Sequence, residues 1–156
     1  MMNSSNAASA IEAIEKAAKK SELQELLRKL KYQLDQAERN LKTVKRESNE
    51  FGELYTKFVT QKKRLSEHTE STLASLRKRT QSFGANVRFG EHYFGEISSI
   101  LKGAESQNAI DSLSEAIQKL KSRVDSKDYE AEQIQRKINS LTRQIRDVQY
   151  QINQLG

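Results

Sequence analysis

Residues 110–155 read IDSLSEAIQKLKSRVDSKDYEAEQIQRKINSLTRQIRDVQYQINQL, and an unbroken 3-4 spacing of apolar residues runs through them. One set of seam positions holds Ile110, Ile117, Val124, Ala131, Ile138, Ile145 and Ile152. The other holds Leu113, Leu120, Lys127, Ile134, Leu141, Val148 and Leu155. A mean spacing of 3.5 residues keeps one narrow stripe turned toward a companion helix along its whole length. A helix that covers a thick globular core usually carries a third apolar position per heptad, which is missing here. Between the seam residues lie Gln, Lys, Arg, Asp and Ser, side chains that suit water. The one polar seam residue is Lys127. The pattern declares a surface for another helix.

Working outward, a matching repeat occupies the first half of the chain: Leu23, Leu27, Leu30, Leu34, Ala37, Leu41, Val44, Ser48, Phe51, Tyr55, Phe58, Lys62 and Leu65, resuming imperfectly at Leu73 and Leu76. Thr69 and Thr72 weaken it and Leu73 arrives out of phase, which predicts that the helix kinks or loses its partner there. As one helix, residues 23–80 would extend roughly 85 Å at 1.5 Å per residue. Ser9 with Glu12 fits a capping box, and Ser21 with Gln24 repeats that signature, so a first arm over 9–81 is expected with a bend near 19–22. Ile11, Ile14 and Ala18 form a short stripe at the start, and the first eight or so residues are expected to fray.

The centre differs from both arms. Residues 82–95, SFGANVRFGEHYFG, hold three glycines and four aromatic rings. Glycine gives access to left-handed backbone, so the first arm should end near Ser82 or Phe83. A short helix is predicted over 91–102, stopped by Gly103. Ser106 or Asn108 then caps the second arm, 109–155, with Asp111 in its first turn. The turn region is thus 82–108. Two arms of comparable seam length joined by a turn predict an all-α chain, a single domain over 1–156. Its expected form is an elongated antiparallel helical hairpin or coiled coil with a short extra helix at the turn. Beta-branched residues paired with leucine, as at Ile138/Leu141, also suit parallel dimers, so a homodimer stays open as the second arrangement.

Composition supports long helices. The 156 residues contain no proline, tryptophan or cysteine, and charged residues make up 31%, as in coiled coils. Without cysteine there is neither a disulfide framework nor a thiolate metal site. The segment 1–10 lacks a basic start and an apolar run, so no Sec signal peptide or membrane span is expected. That predicts a cytoplasmic chain, exported, if at all, by a leaderless route. The net charge of +6 is interleaved with acids apart from Lys62-Lys63-Arg64 and Arg77-Lys78-Arg79. A solvated helix face accounts for these triplets better than a nucleic-acid or anionic-membrane site.

Catalytic constellations are missing from the sequence. His68 sits in a polar run, and His92 flanks the aromatic cluster, where it is read as a packing residue rather than a metal ligand. There is no phosphate-cradling loop and no nucleophile elbow. The carboxylates fall on polar helix faces, where nothing raises their pKa. No catalytic residue, cofactor or metal is assigned, and the chain is read as a non-enzyme. The rings Phe83, Phe89, Tyr93 and Phe94 either plug the hairpin tip or anchor a partner, since aromatics dominate binding hot spots.

Arg88-Phe89-Gly90-Glu91-His92-Tyr93-Phe94, together with the coil Ile134, Ile138, Leu141, Ile145, Val148, Ile152, Leu155, resembles the small helical proteins encoded beside LXG-domain toxins. Those proteins serve type VII secretion in Gram-positive bacteria and are distant relatives of the WXG hairpins. Gly90 matches the turn glycine of that family, while Arg88 stands where the family has tryptophan. The export pattern Tyr-x-x-x-Asp/Glu is replaced here by Tyr129 with Gln133 and Tyr150 with Gln154. The resemblance implies a targeting factor or chaperone that covers the apolar faces of an LXG-type toxin domain, with or without a second small helical protein. The partner-binding residues expected on that footing are Phe89, Tyr93, Phe94 and Ile97 at the turn and Ile138, Leu141, Ile145, Val148 and Ile152 on the second arm. A homo-oligomeric scaffold or tether is the alternative, and a basic binder of polyanions or membrane surfaces comes third.

Overall fold

A computed structural model describes residues 4–81, 91–92, 95–96, 98–99 and 103–156. Two long helices dominate: α1, Ser4–Gln81, and α2, Ala104–Leu155. The described residues between 91 and 99 are helical too, as expected for the turn, and no strand occurs among the described residues. The chain divides into two compact units. Unit 1 is Met1–Glu47 with Lys127–Gly156, and unit 2 is Ser48–Ser126. In each, α1 and α2 pack as an antiparallel pair, the arrangement of a helical hairpin.

Unit 1 holds the seam that both repeats foretell. Lys127 Nζ meets Glu47 Oε2 at 2.6 Å at one end, and Lys20 Nζ lies beside Gly156 at the other. These two contacts fix the register. Advancing along α1 while retreating along α2, Leu23 faces Ile152, Leu27 faces Val148, Leu30 faces Ile145, Leu34 faces Leu141, Ala37 faces Ile138 and Leu41 faces Ile134. Leu30, Ala37, Ile138, Leu141, Ile145 and Val148 form the buried cluster, with the other residues of these layers packed against it. Sizes are complementary. The small Ala37 meets a branched isoleucine, and the small Ala131 falls opposite Val44, so each layer pairs a small residue with a branched one.

Unit 2 is thinner. The Arg123 guanidinium lies over the Phe51 ring, 5.5 Å from its centroid, a cation–π contact worth about 0.5–1 kcal/mol in an exposed setting. From this layer the half-buried seam runs forward on α1 through Tyr55, Phe58 and Leu65, and backward on α2 through Leu120, Ile117, Leu113 and Ile110. Among the described residues, every buried apolar side chain belongs to unit 1. The aromatic seam positions of unit 2 are wider than leucine and leave their edges in water.

Both long helices start earlier than expected, and two suspected interruptions lie inside continuous helix. The helix does not break at 19–22, because Ser21 and Gln24 lie inside a continuous α1. Leucines at 23, 27 and 30 on one side and alanines at 13, 17 and 18 on the other favour helix across the join. Nor does α1 wait for Ser9, since it is already helical at Ser4. α1 is continuous through Thr69 and Thr72. Their hydroxyls donate to the carbonyls of Leu65 and His68, at 3.0 and 2.8 Å, a back-bond that satisfies the side chain within a helix and bends it at most slightly. Finally, α2 starts earlier than 109. Gly103 sits at its entrance, and its carbonyl accepts from the Gln107 amide at 3.2 Å. Ser106 and Asn108 are therefore inside the helix, where Gln107 Nε2 donates to Asp111 Oδ1 at 2.9 Å.

Gly52 lies mid-helix in α1, and a Cβ there would meet nothing within 4 Å. Glycine in a helix interior costs about 0.5–1 kcal/mol relative to alanine, because more chain entropy is lost on folding. Gly52→Ala should therefore raise stability by about that much, measured as a higher urea midpoint with an unchanged slope. A decrease would mean that α1 needs flexibility at this point.

Candidate partner-binding surface

The expected partner-binding residues separate into two groups. Phe89, Tyr93, Phe94 and Ile97 lie outside the described residues, as do Phe83, Arg88 and Gly90. The five on the second arm are described, and they are already engaged. Ile138, Leu141, Ile145 and Val148 are buried against α1, and Ile152 is packed on the same cluster. In the folded hairpin these five are core, and a second chain does not find them on the surface. The β-branched/leucine pattern that also suits a parallel dimer is here satisfied within one chain, which avoids the entropy of association.

The short stripe at the start of α1 lies outside the expected partner-binding set. Ile11 and Ile14 are 56% and 69% exposed, and all described positions from Ala8 to Lys19 are exposed. These isoleucines are not a continuation of the seam. Carried back in sevens from Leu23, Leu27 and Leu30, the seam positions are Lys20, Lys16, Ala13 and Ser9. Ala7, Ile11, Ile14 and Ala18 follow the same 3-4 spacing about two residues out of step, which turns them to the opposite side of the helix. A signal was available, since a stripe out of phase with the adjoining seam cannot share its partner.

Other large apolar side chains are exposed singly along the helices: Leu26, Tyr32, Leu54, Val59, Tyr129 and Tyr150. Scattered residues of this kind are normal on a soluble surface. Tyr129 and Tyr150, 65% exposed each, lie three heptads apart on the outer face of α2.

Charged groups pair mostly along their own helix. Arg28 contacts Glu25 at 2.7 Å, Arg39 contacts Asp35 at 3.1 Å, Lys119 contacts Glu115 at 3.3 Å, and Arg136 contacts Glu132 at 2.8 Å. The hydrogen bond and charge of Arg28 hold Glu25 below the usual carboxylate range, and Glu25 raises Arg28 in return. Such exposed pairs are weakened by salt and add little. In the first basic triplet, Lys63 pairs with Glu67 at 3.9 Å.

Lys127 differs because it bridges the helices. It is half-buried, bonded to Glu47 across the seam and to Glu130 Oε2 on its own helix at 3.4 Å. The bond to Glu47 is the main reason its pKa lies above that of an ordinary lysine, and partial burial opposes the shift. A raised folded-state pKa means that this contribution is fully present below the ordinary lysine range and is lost as pH rises through the folded value. Melting temperatures should therefore fall on the alkaline side, above the usual lysine pKa, more in the native chain than in Lys127→Met. Parallel curves for the two proteins would remove the pair from any account of stability.

His92 is exposed rather than packed, with Nε2 3.2 Å from Glu96 Oε1 one turn on. Glu96, at helical pairing distance in the sequence, was the overlooked clue. An open hollow lined by His92, Gly95, Glu96 and Ser99 lies beside them. Among the described residues no group of three or more His, Asp or Glu side chains gathers as a metal site would require. No helix among them is long and apolar enough to cross a membrane. Comparisons with protein-family models, with curated proteins and with solved structures return no match for this chain.

Proposed function

We propose that this chain is a non-enzymatic helical partner of another long helical protein, acting as a targeting factor or chaperone. The LXG-type toxin domain implied by the resemblance at Arg88 to Phe94 is the proposed client. The observation that carries the proposal is the stripe Ala7, Ile11, Ile14, Ala18. Its two isoleucines stay exposed while the α1 seam of unit 1, Leu23 to Leu41, is covered within the chain. An apolar strip at 3-4 spacing fits a helical partner, which would lie along it with knobs between its residues. The turn residues Phe89, Tyr93, Phe94 and Ile97 extend the proposed contact. A leaderless type VII route from the cytoplasm belongs to the same proposal.

Co-expression with the product of the adjacent long reading frame tests it. A stable complex of defined stoichiometry that is lost on Phe94→Asp, with the free protein still helical, is the expected result. A salt-stable homodimer indifferent to that product would instead establish a scaffold. Tight, salt-sensitive binding to DNA or anionic vesicles would transfer the function to the basic triplets.

A further inference from the structure

We propose that the cluster Glu47, Lys127 and Glu130 is a register key that makes one alignment of α1 on α2 unique. The apolar layers of unit 1 cannot do this alone. Sliding α2 by one heptad, about 10 Å, still opposes apolar to apolar. Leu34 would meet Ile134 or Val148 in place of Leu141, and Leu27 would meet Leu141 or Leu155 in place of Val148. Size discriminates in one direction only, where Ala37 would face Ala131 and leave a void.

The charged cluster discriminates in both directions. In the observed register Glu47 and Glu130 flank the same side of the seam, and Lys127 Nζ reaches both, at 2.6 and 3.4 Å. Slid one way, Lys127 leaves Glu47 and lies beside Leu41. Slid the other way, Lys127 lies beside Leu54 and Tyr55 with no acid on α1, while Glu47 comes beside Ile134 and opposite Lys137. Lys127 and Glu47 side chains are only 28% and 36% exposed, so losing the partner strands a partly desolvated charge. A polar residue on an otherwise apolar seam is a known means of fixing register at some expense of stability.

The chain has no cysteine, so disulfide trapping reads the register directly. Gln33 and Gln144 stand two heptads from Glu47 and Glu130 in the same relation, and both are exposed. The pair Gln33→Cys/Gln144→Cys therefore reports the observed register. Gln33→Cys/Lys137→Cys and Asn40→Cys/Gln144→Cys report the two slipped ones. With Glu47 and Lys127 intact, only the first pair should close within one chain. Adding Glu47→Gln and Lys127→Leu should raise the melting temperature and let at least one slipped pair close as well. Exchanging the charges, Glu47→Lys with Lys127→Glu, should restore closure of the first pair alone. The key is refuted if the Gln/Leu background still traps only the first pair, or if the charge exchange leaves the slipped pairs closing.

Discussion

Leu141→Ala should destabilise unit 1 by about 2–5 kcal/mol, the range for truncating a buried leucine whose surroundings collapse only in part. Leu141 is 4% exposed and lies within the cluster of Leu30, Ala37, Ile138, Ile145 and Val148. Its neighbours on both helices are held at fixed heights by their own layers, so none can swing in to fill the space. A two-helix core has no third layer to supply replacement atoms. Leu54→Ala is the matched control, since Leu54 is 41% exposed on α1 and should change stability by no more than about 0.5 kcal/mol. Urea unfolding followed by far-UV circular dichroism separates them. Equal losses in the two variants would mean that the seam is not where the stability resides.

The helical pairing was legible because both halves of the chain carry it in the same period, and pairing of equal seams is arithmetic once a turn is placed. Lys127 was legible as an interruption, but its partner was not. Glu47 lies beside the first seam rather than on it, and only the register decides which flanking acid a seam lysine can reach. The ends of helices were read less well. Ser9/Glu12 and Ser21/Gln24 are capping signatures by composition, yet alanine-rich and leucine-rich surroundings keep α1 continuous through both. Gly103, expected as a stop after the turn helix, stands outside the helix at the entrance of α2. The residues expected to bind a partner on the second arm are covered by α1 in the folded chain. A regular apolar seam announces that something covers it without saying whether the cover is intramolecular. Here α1 covers it, which moves attention to the residues left over.

Those residues give the last prediction. Ile11→Asp with Ile14→Asp should weaken the proposed complex on the order of a hundredfold or more while leaving the hairpin folded. Burying one isoleucine is worth about 1.5–3 kcal/mol, and every 1.4 kcal/mol is a factor of ten in affinity, so losing two covers that range. The folded chain has little to lose, because both side chains already face water. Aspartate costs at most about 0.7 kcal/mol per residue in helix propensity. The comparison that decides is with Ile145→Asp, the same chemical change in a side chain 9% exposed in the seam. That substitution should lower the melting temperature and the helical signal, and should weaken binding only as far as it unfolds the chain. Binding would be measured by isothermal titration with the purified client domain, and folding of each variant by circular dichroism. If Ile11→Asp/Ile14→Asp binds as the native chain does, the stripe is not the contact. The turn residues Phe89, Tyr93, Phe94 and Ile97 would then have to carry the interaction.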